Sequence, residues 1–93
     1  MCLEIKKLNE TILFNAHRAC VRDLEGACLV YSLHRTVAIM IAEVSISTLN
    51  RICTHSNILI HPAMISIETW KNIELLTDDA LSALTLIDIK LHS

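Results

Sequence analysis

The chain has 93 residues and a formal net charge of −2, and 53% of its residues are apolar. This length predicts one domain over residues 1–93 with a small core, because so short a chain leaves roughly a third of its surface exposed. The near-neutral charge excludes a strongly basic protein that holds nucleic acid by itself. The apolar fraction is more than one small globule buries, so we expect an oligomer with apolar subunit contacts.

Residues that break helices are rare, since Gly26 and Pro62 are the only glycine and proline in the sequence. This composition predicts an all-α fold, a compact bundle of about five or six short helices. The charged start of the chain, Met1 to Glu10, lacks the apolar region of a secretory signal, and no apolar run approaches the ~20 residues of a membrane span. We therefore expect a soluble, cytoplasmic protein that makes no membrane contact.

The first two helices follow from apolar spacing and one capping residue. Apolar residues recur at steps of mostly three to five from about Leu3 to Arg22, which predicts a long amphipathic helix. Asp23 is the expected N-cap of the next helix, because its carboxylate can accept the amide hydrogens of the first turn. That second helix is short and almost wholly apolar, and it is predicted to end near Tyr31.

The next two predicted helices resemble a DNA-reading arrangement. A third helix is predicted from about His34 to Val44, and a fourth follows an N-cap at Ser45 or Ser47 and runs to about His55. Helix, short turn and helix is also the order of a helix-turn-helix reader, although the usual small residue at the turn is absent. Two core helices joined by a capped turn are the more frequent result of such a pattern. The candidate DNA contacts are Arg35 and Arg51.

The last third of the sequence begins with an extended segment. Ile58 to Ile60 precede His61 and Pro62, and both β-branching and the position before a proline disfavour a helix there. This segment offers apolar surface that can pair with its twin across a homodimer. Two further helices are predicted, from about Ile67 to Leu76 and from about Asp78 to Leu91. Their expected N-caps are Ser66 and Thr77.

No group of residues in the sequence has the pattern of a catalytic centre. The cysteines form no closely spaced pair and are expected to be reduced core residues. A zinc site is the alternative for Cys20, Cys28, Cys53 and His55, but these residues lack finger-like spacing. A single glycine cannot build a phosphate-binding loop. The sequence therefore predicts no enzyme activity, no cofactor and no metal.

One stretch is similar to a known family. Asn9 to Asp23 reads NETILFNAHRACVRD, and the FlhD family has the pattern NLSYLLLAQRLIVQD there, followed by ASAMFRLG. The residues that match without a gap are Asn9, Ala16, Arg18, Val21, Asp23 and Ala27. The register continues at Ala38, Ala42, Leu49 or its neighbours, and His61. From about Leu8 to His61 the chain therefore resembles FlhD, the small subunit of the enterobacterial flagellar activator, while only Thr77 to Asp79 resembles the family further on.

The resemblance implies a subunit of a transcription activator. Such a chain forms an intertwined homodimer, binds a larger FlhC-like subunit that carries zinc, contacts promoter DNA as part of that complex and recruits RNA polymerase. The family's intersubunit cysteine is Ile60 here, so that disulfide cannot form, and its glycine is Ser32. These departures indicate a diverged relative, such as those that switch on transfer genes of conjugative plasmids and integrative elements. The predicted dimer contacts are Leu8, Ile12, Ile58, Leu59 and Ile60.

The predicted surface for the larger subunit is the second helix with its cap. Asp23 keeps the family residue, whereas Leu29 and Val30 replace a Phe-Arg pair and would change the choice of partner. For these two aliphatic residues a place in the chain's own core is an equally open alternative. A different class of function also stays open, in which the same helices form an adaptor or chaperone that binds protein and no DNA.

Overall fold

The computed structural model describes residues 2–56 and 59–81, with side chains from residue 4 onward. All regular structure in these ranges is helical, which confirms the predicted all-α fold. The α-helices are α1 (Cys2–Arg22), α2 (Leu24–Tyr31), α3 (Arg35–Glu43), α4 (Ile46–His55) and α5 (Ile67–Asn72), with 3-10 turns at Pro62–Met64 and Ile73–Leu75. Residues 78–81 form one further helical turn.

Helix α1 is the centre of the fold. Its buried residues Asn9, Leu13, Ala16 and Cys20 recur at steps of four, three and four, so they form one face of the helix. Helices α2, α3 and α4 all pack against α1, and α5 packs against α3. The Cα radius of gyration is 12.2 Å, close to the ~12 Å of a compact chain of this length.

The junction between α1 and α2 is a sharp break at the predicted N-cap. Asp23 leaves the helical conformation, and its Oδ1 accepts a hydrogen bond from the Gly26 amide at 3.1 Å. At the other end of α2, Ser32 has a left-handed backbone with φ 55°, and its amide donates to the Cys28 carbonyl. A residue with this φ is usually glycine, because a Cβ costs energy there.

The N-cap of α4 is Ser45, so the alternative cap at Ser47 does not apply. The Ser45 hydroxyl accepts a hydrogen bond from the Thr48 amide at 3.1 Å. Glu74 then ties this cap to the end of α5, because the Thr48 hydroxyl and the Ser45 hydroxyl both reach its Oε1, the latter at 3.0 Å. Helices α3 and α4, which have the order of a helix-turn-helix pair, thus each pack on α1 and are joined by a capped turn.

The segment after α4 contributes core rather than strand structure. Ile60 is fully buried, and Trp70 is buried with its Nε1 donating to the Pro62 carbonyl at 3.4 Å. Ser66 caps α5 as predicted, but the predicted helix Ile67 to Leu76 tightens into a 3-10 turn after Asn72. Thr77 accepts from the Ala80 amide at 3.1 Å, as an N-cap does.

Two predictions extend beyond what the structure describes. Ile58 lies outside the described residues, as does the predicted helix from Asp78 to Leu91 after residue 81. Within residues 2–56 and 59–81, no single helix is long and apolar enough to cross a membrane. Helices α2 and α3 together have the length and composition of one span, but they are bent by 113° at their junction.

Candidate functional site

The outward face of α2 carries two neighbouring aliphatic side chains that are largely exposed to solvent. Leu29 is 83% exposed and Val30 is 76% exposed. Helix α2 meets the core through Ala27, which is buried, with Leu24 and Cys28 packed against the core. The alternative in which Leu29 and Val30 fill the core of this chain is therefore wrong, and both are available to a partner.

Asp23, the third predicted partner-binding residue, lies at the opposite end of the same helix. It is exposed, and one carboxylate oxygen accepts the Gly26 amide hydrogen. Val30 lies seven residue steps after Asp23, or roughly 10 Å along the helix axis. The structure thus brings all three predicted residues onto one short surface helix, with Asp23 also fixing where that helix begins.

A groove of about 430 Å³ lies between α1 and α2. Arg18 and Arg22 line its α1 side, Val30 lines its α2 side, and the small residues Ala19 and Ala27 lie between them. Sequence analysis missed the two arginines as site residues. The available signal was their spacing of four on the exposed face of a predicted amphipathic helix, which places both on one side of α1.

The predicted dimer contacts occupy different environments. Leu8 is 50% exposed, Leu59 is 49% exposed and Ile12 is half-buried. The prediction of Ile60 as a dimer contact is wrong, because its side chain is buried in the core of the single chain. Its amide donates a hydrogen bond to the buried Asn9 Oδ1 at 2.7 Å. This hydrogen bond holds the segments that carry Leu8 and Leu59 side by side.

The two candidate DNA contacts are both paired within the chain. Arg35, in the first turn of α3, forms an exposed ion pair with Glu25. Arg51 is held more firmly, since its Nη2 donates to the Leu76 carbonyl at 2.6 Å and to Asp78 Oδ1 at 2.9 Å, and its Nε donates to the same oxygen at 3.1 Å. A DNA contact by Arg51 therefore requires breaking these bonds, whereas an exposed pair such as that of Arg35 costs little to open.

The cysteines with described side chains are free thiols. Burial raises the pKa of Cys53 to about 11, and burial together with the neighbouring Cys28 raises the pKa of Cys20. Such thiols are poor nucleophiles near neutral pH because little thiolate forms. Among the described residues no group of three or more His, Cys, Asp or Glu side chains is placed to hold a metal ion, and His55 instead lies 3.5 Å from Asp78.

No protein-family model, curated protein or solved structure shows significant similarity to this chain.

Proposed function

We propose that the chain is the small, non-enzymatic subunit of a heteromeric bacterial transcription activator. It assembles with a larger FlhC-like, zinc-binding subunit, binds promoter DNA as part of that complex and recruits RNA polymerase to flagellar or conjugative-transfer genes. The observation that carries this proposal is the exposure of Leu29 and Val30 on α2. A pair of exposed aliphatic residues on a short surface helix is what a protein-binding helix presents.

The backbone at Ser32 supports the register of the resemblance. The similar family has glycine at this position, and here the residue adopts φ 55°, the conformation that favours glycine. Asn9 and Asp23, two residues that match the family, also have defined structural roles as a buried hydrogen-bond acceptor and a helix cap. A register chosen at random would not be expected to place a glycine position on a left-handed residue.

The net charge of the chain and the contacts of Arg51 favour a complex in which the larger subunit makes most of the DNA contacts. The chain has a net charge of −2, and Arg51 is engaged by Asp78 and a backbone carbonyl. Affinity for DNA depends strongly on the number of phosphates that cations can neutralise. In the proposed complex the larger subunit therefore supplies most phosphate contacts, with Arg35 as the more available of the two arginines proposed to touch DNA.

The proposed homodimer uses the apolar surface near Leu8, Ile12 and Leu59. Leu8 and Leu59 are each about half exposed and lie on segments that the Asn9 to Ile60 hydrogen bond joins. Sedimentation velocity tests this contact with Leu59→Asp, which is tolerated in a monomer because the site is half solvated. We expect the dimer to dissociate at concentrations where the wild type stays dimeric; an unchanged dimer places the contact elsewhere.

The functional test is a gel-shift assay with purified components. The chain is co-expressed with the product of its neighbouring gene, and the complex is incubated with promoter fragments and with shuffled fragments of equal length. We expect sequence-selective binding by the complex, and weak, unselective binding by the chain alone. If the complex shows no sequence preference, the activator proposal fails and the exposed α2 face instead favours a protein-binding adaptor or chaperone without DNA contact.

A further inference from the structure

The groove between α1 and α2 concentrates positive charge on a chain that is slightly acidic overall. Arg18 and Arg22 stand one helical turn apart on its wall, and Asp23 at its end gives the groove a net charge of +1 against −2 for the whole sequence. Elsewhere among the described residues, ion pairs join Arg35 to Glu25, Arg51 to Asp78 and Lys71 to Glu68. In contrast, neither groove arginine contacts a carboxylate within the described part of the chain.

The floor and the second wall of the groove are apolar. Ala19 and Ala27 are small enough to leave a depression between the helices, and Val30 borders it with 76% of its surface exposed. A surface that combines two guanidinium groups with aliphatic side chains suits a ligand that has both carboxylate and apolar groups. Nucleic acid fits it less well, because the exposed valine would meet sugar and phosphate instead of apolar side chains.

We propose that this groove binds a protein segment that presents carboxylates to Arg18 and Arg22 and aliphatic side chains to Ala19 and Val30. An amphipathic helix with Glu or Asp along one edge of its apolar face has this chemistry. The inference rests on the proposed function in one respect only, which is that the segment belongs to the larger subunit. It extends the partner surface from the outward face of α2 to the basic edge of α1.

An NMR titration of the full, ¹⁵N-labelled chain tests the groove without DNA or the larger subunit. The probe is a synthetic helical peptide of about sixteen residues built from Leu, Ala and Glu, long enough to hold a helix, and its twin has Gln at every Glu. We expect amide shifts at Arg18, Ala19, Arg22 and Val30, and at least about five-fold weaker binding by the Gln twin, since a charge-assisted hydrogen bond is roughly twice as strong as a neutral one.

Two variants on the exposed face of α1 separate a specific effect from general charge. Arg18→Gln should reduce the preference for the Glu peptide, whereas Lys7→Gln, which removes the same single charge about three turns earlier on the same helix, should preserve it. Both variants should keep the wild-type spectrum outside the mutated sites. Equal binding of both peptides, shifts that map outside the groove, or saturation by free glutamate at the peptide's concentration would each overturn the proposal. None of these results depends on the gel-shift assay, so the two proposals can fail separately.

Discussion

Truncating the outward face of α2 separates a partner-binding role from a role in folding. Leu29→Ala with Val30→Ala removes side chains that are 83% and 76% exposed. Surface substitutions of this kind change the free energy of unfolding by no more than about 0.5 kcal/mol. Alanine also has the higher helix propensity, which offsets part of any lost contact. The melting temperature of the isolated chain should therefore shift by no more than about 4 °C.

The effect on binding should be far larger. The two truncations remove about five carbon atoms, and each buried methylene contributes about 0.8 kcal/mol. If a partner fully covers both side chains, the complex loses up to about 4 kcal/mol, or near a thousand-fold in Kd. Partial coverage reduces this loss in proportion, but a ten-fold weakening needs burial of only about two methylene groups.

The assay is co-purification of the larger subunit with a tagged chain, with the amount normalised to folded protein measured by circular dichroism. Leu75→Ala is the matched control for Leu29→Ala, because Leu75 is 81% exposed but lies in the 3-10 turn after α5. We expect loss of the larger subunit, and of reporter activation, with the α2 variant only. A double variant that melts well below the wild type yet captures its partner in proportion to folded protein would refute the reasoning.

Three further predictions concern residues whose backbone or hydrogen bonds affect the stability of the fold. Asn9→Ala should lower the free energy of unfolding by about 1–3 kcal/mol in urea titrations, because the buried Ile60 amide loses its acceptor. Ser32→Gly should raise it by about 0.5–1 kcal/mol, because φ 55° strains a residue with a Cβ. Hydrogen bonds from Thr48 and then Ser45 hold the pKa of Glu74 below its ordinary value of 4.5, so its stabilising contribution is present above that pH and is lost as the pH falls through the lowered pKa. Thermal melts in an acid series should therefore show a smaller acid-induced loss for Glu74→Gln than for the wild type.

Matched variants control these three measurements. Asn50 is an exposed asparagine in α4, so Asn50→Ala should change the free energy of unfolding little. If it lowered that free energy as much as Asn9→Ala, burial would not explain the effect at Asn9. Ser47→Gly, in the first turn of α4, should destabilise slightly because glycine has a lower helix propensity than serine. If Ser32→Gly also destabilised, the argument from backbone strain would be wrong. Parallel acid-unfolding curves for wild type and Glu74→Gln would show that the carboxylate contributes nothing.

The sequence predicted the described helices well because their signals are local. The spacing of apolar residues determines which face of α1 is buried, and the caps at Asp23, Ser45 and Ser66 act within three residues of themselves. Local signals were weaker after α4. There, Ile58 and Ile60 are β-branched and predict an extended strand, but the place of Ile60 is determined by Asn9, which is 51 residues away in the chain. No local pattern contains such a contact.

The sequence pointed to the α2 residues of the candidate site but not to its α1 residues, because the groove depends on contacts between residues that are distant in the sequence. The resemblance directed attention to Leu29 and Val30, but composition could not decide between core and surface for two adjacent aliphatic residues on a short helix. That decision depends on how little of α2 faces the core, where Ala27 is its buried residue. The groove needs two helices at once, so Arg18 and Arg22 became site residues only when α2 was placed beside them.

Contacts within the folded chain determine which arginines can bind a partner without first losing another interaction. Arg51 and Arg22 both lie on amphipathic helices, and the sequence alone does not show which of them is paired within the chain. In the fold, the guanidinium of Arg51 meets Asp78 and the Leu76 carbonyl, contacts that hold the chain after α5 against α4. Arg22 meets no carboxylate among the described residues and faces a groove with an apolar wall. A cation that is already paired must lose that interaction before it binds anything else, whereas Arg22 loses only its hydration, so the α1 edge is the better surface for an acidic partner.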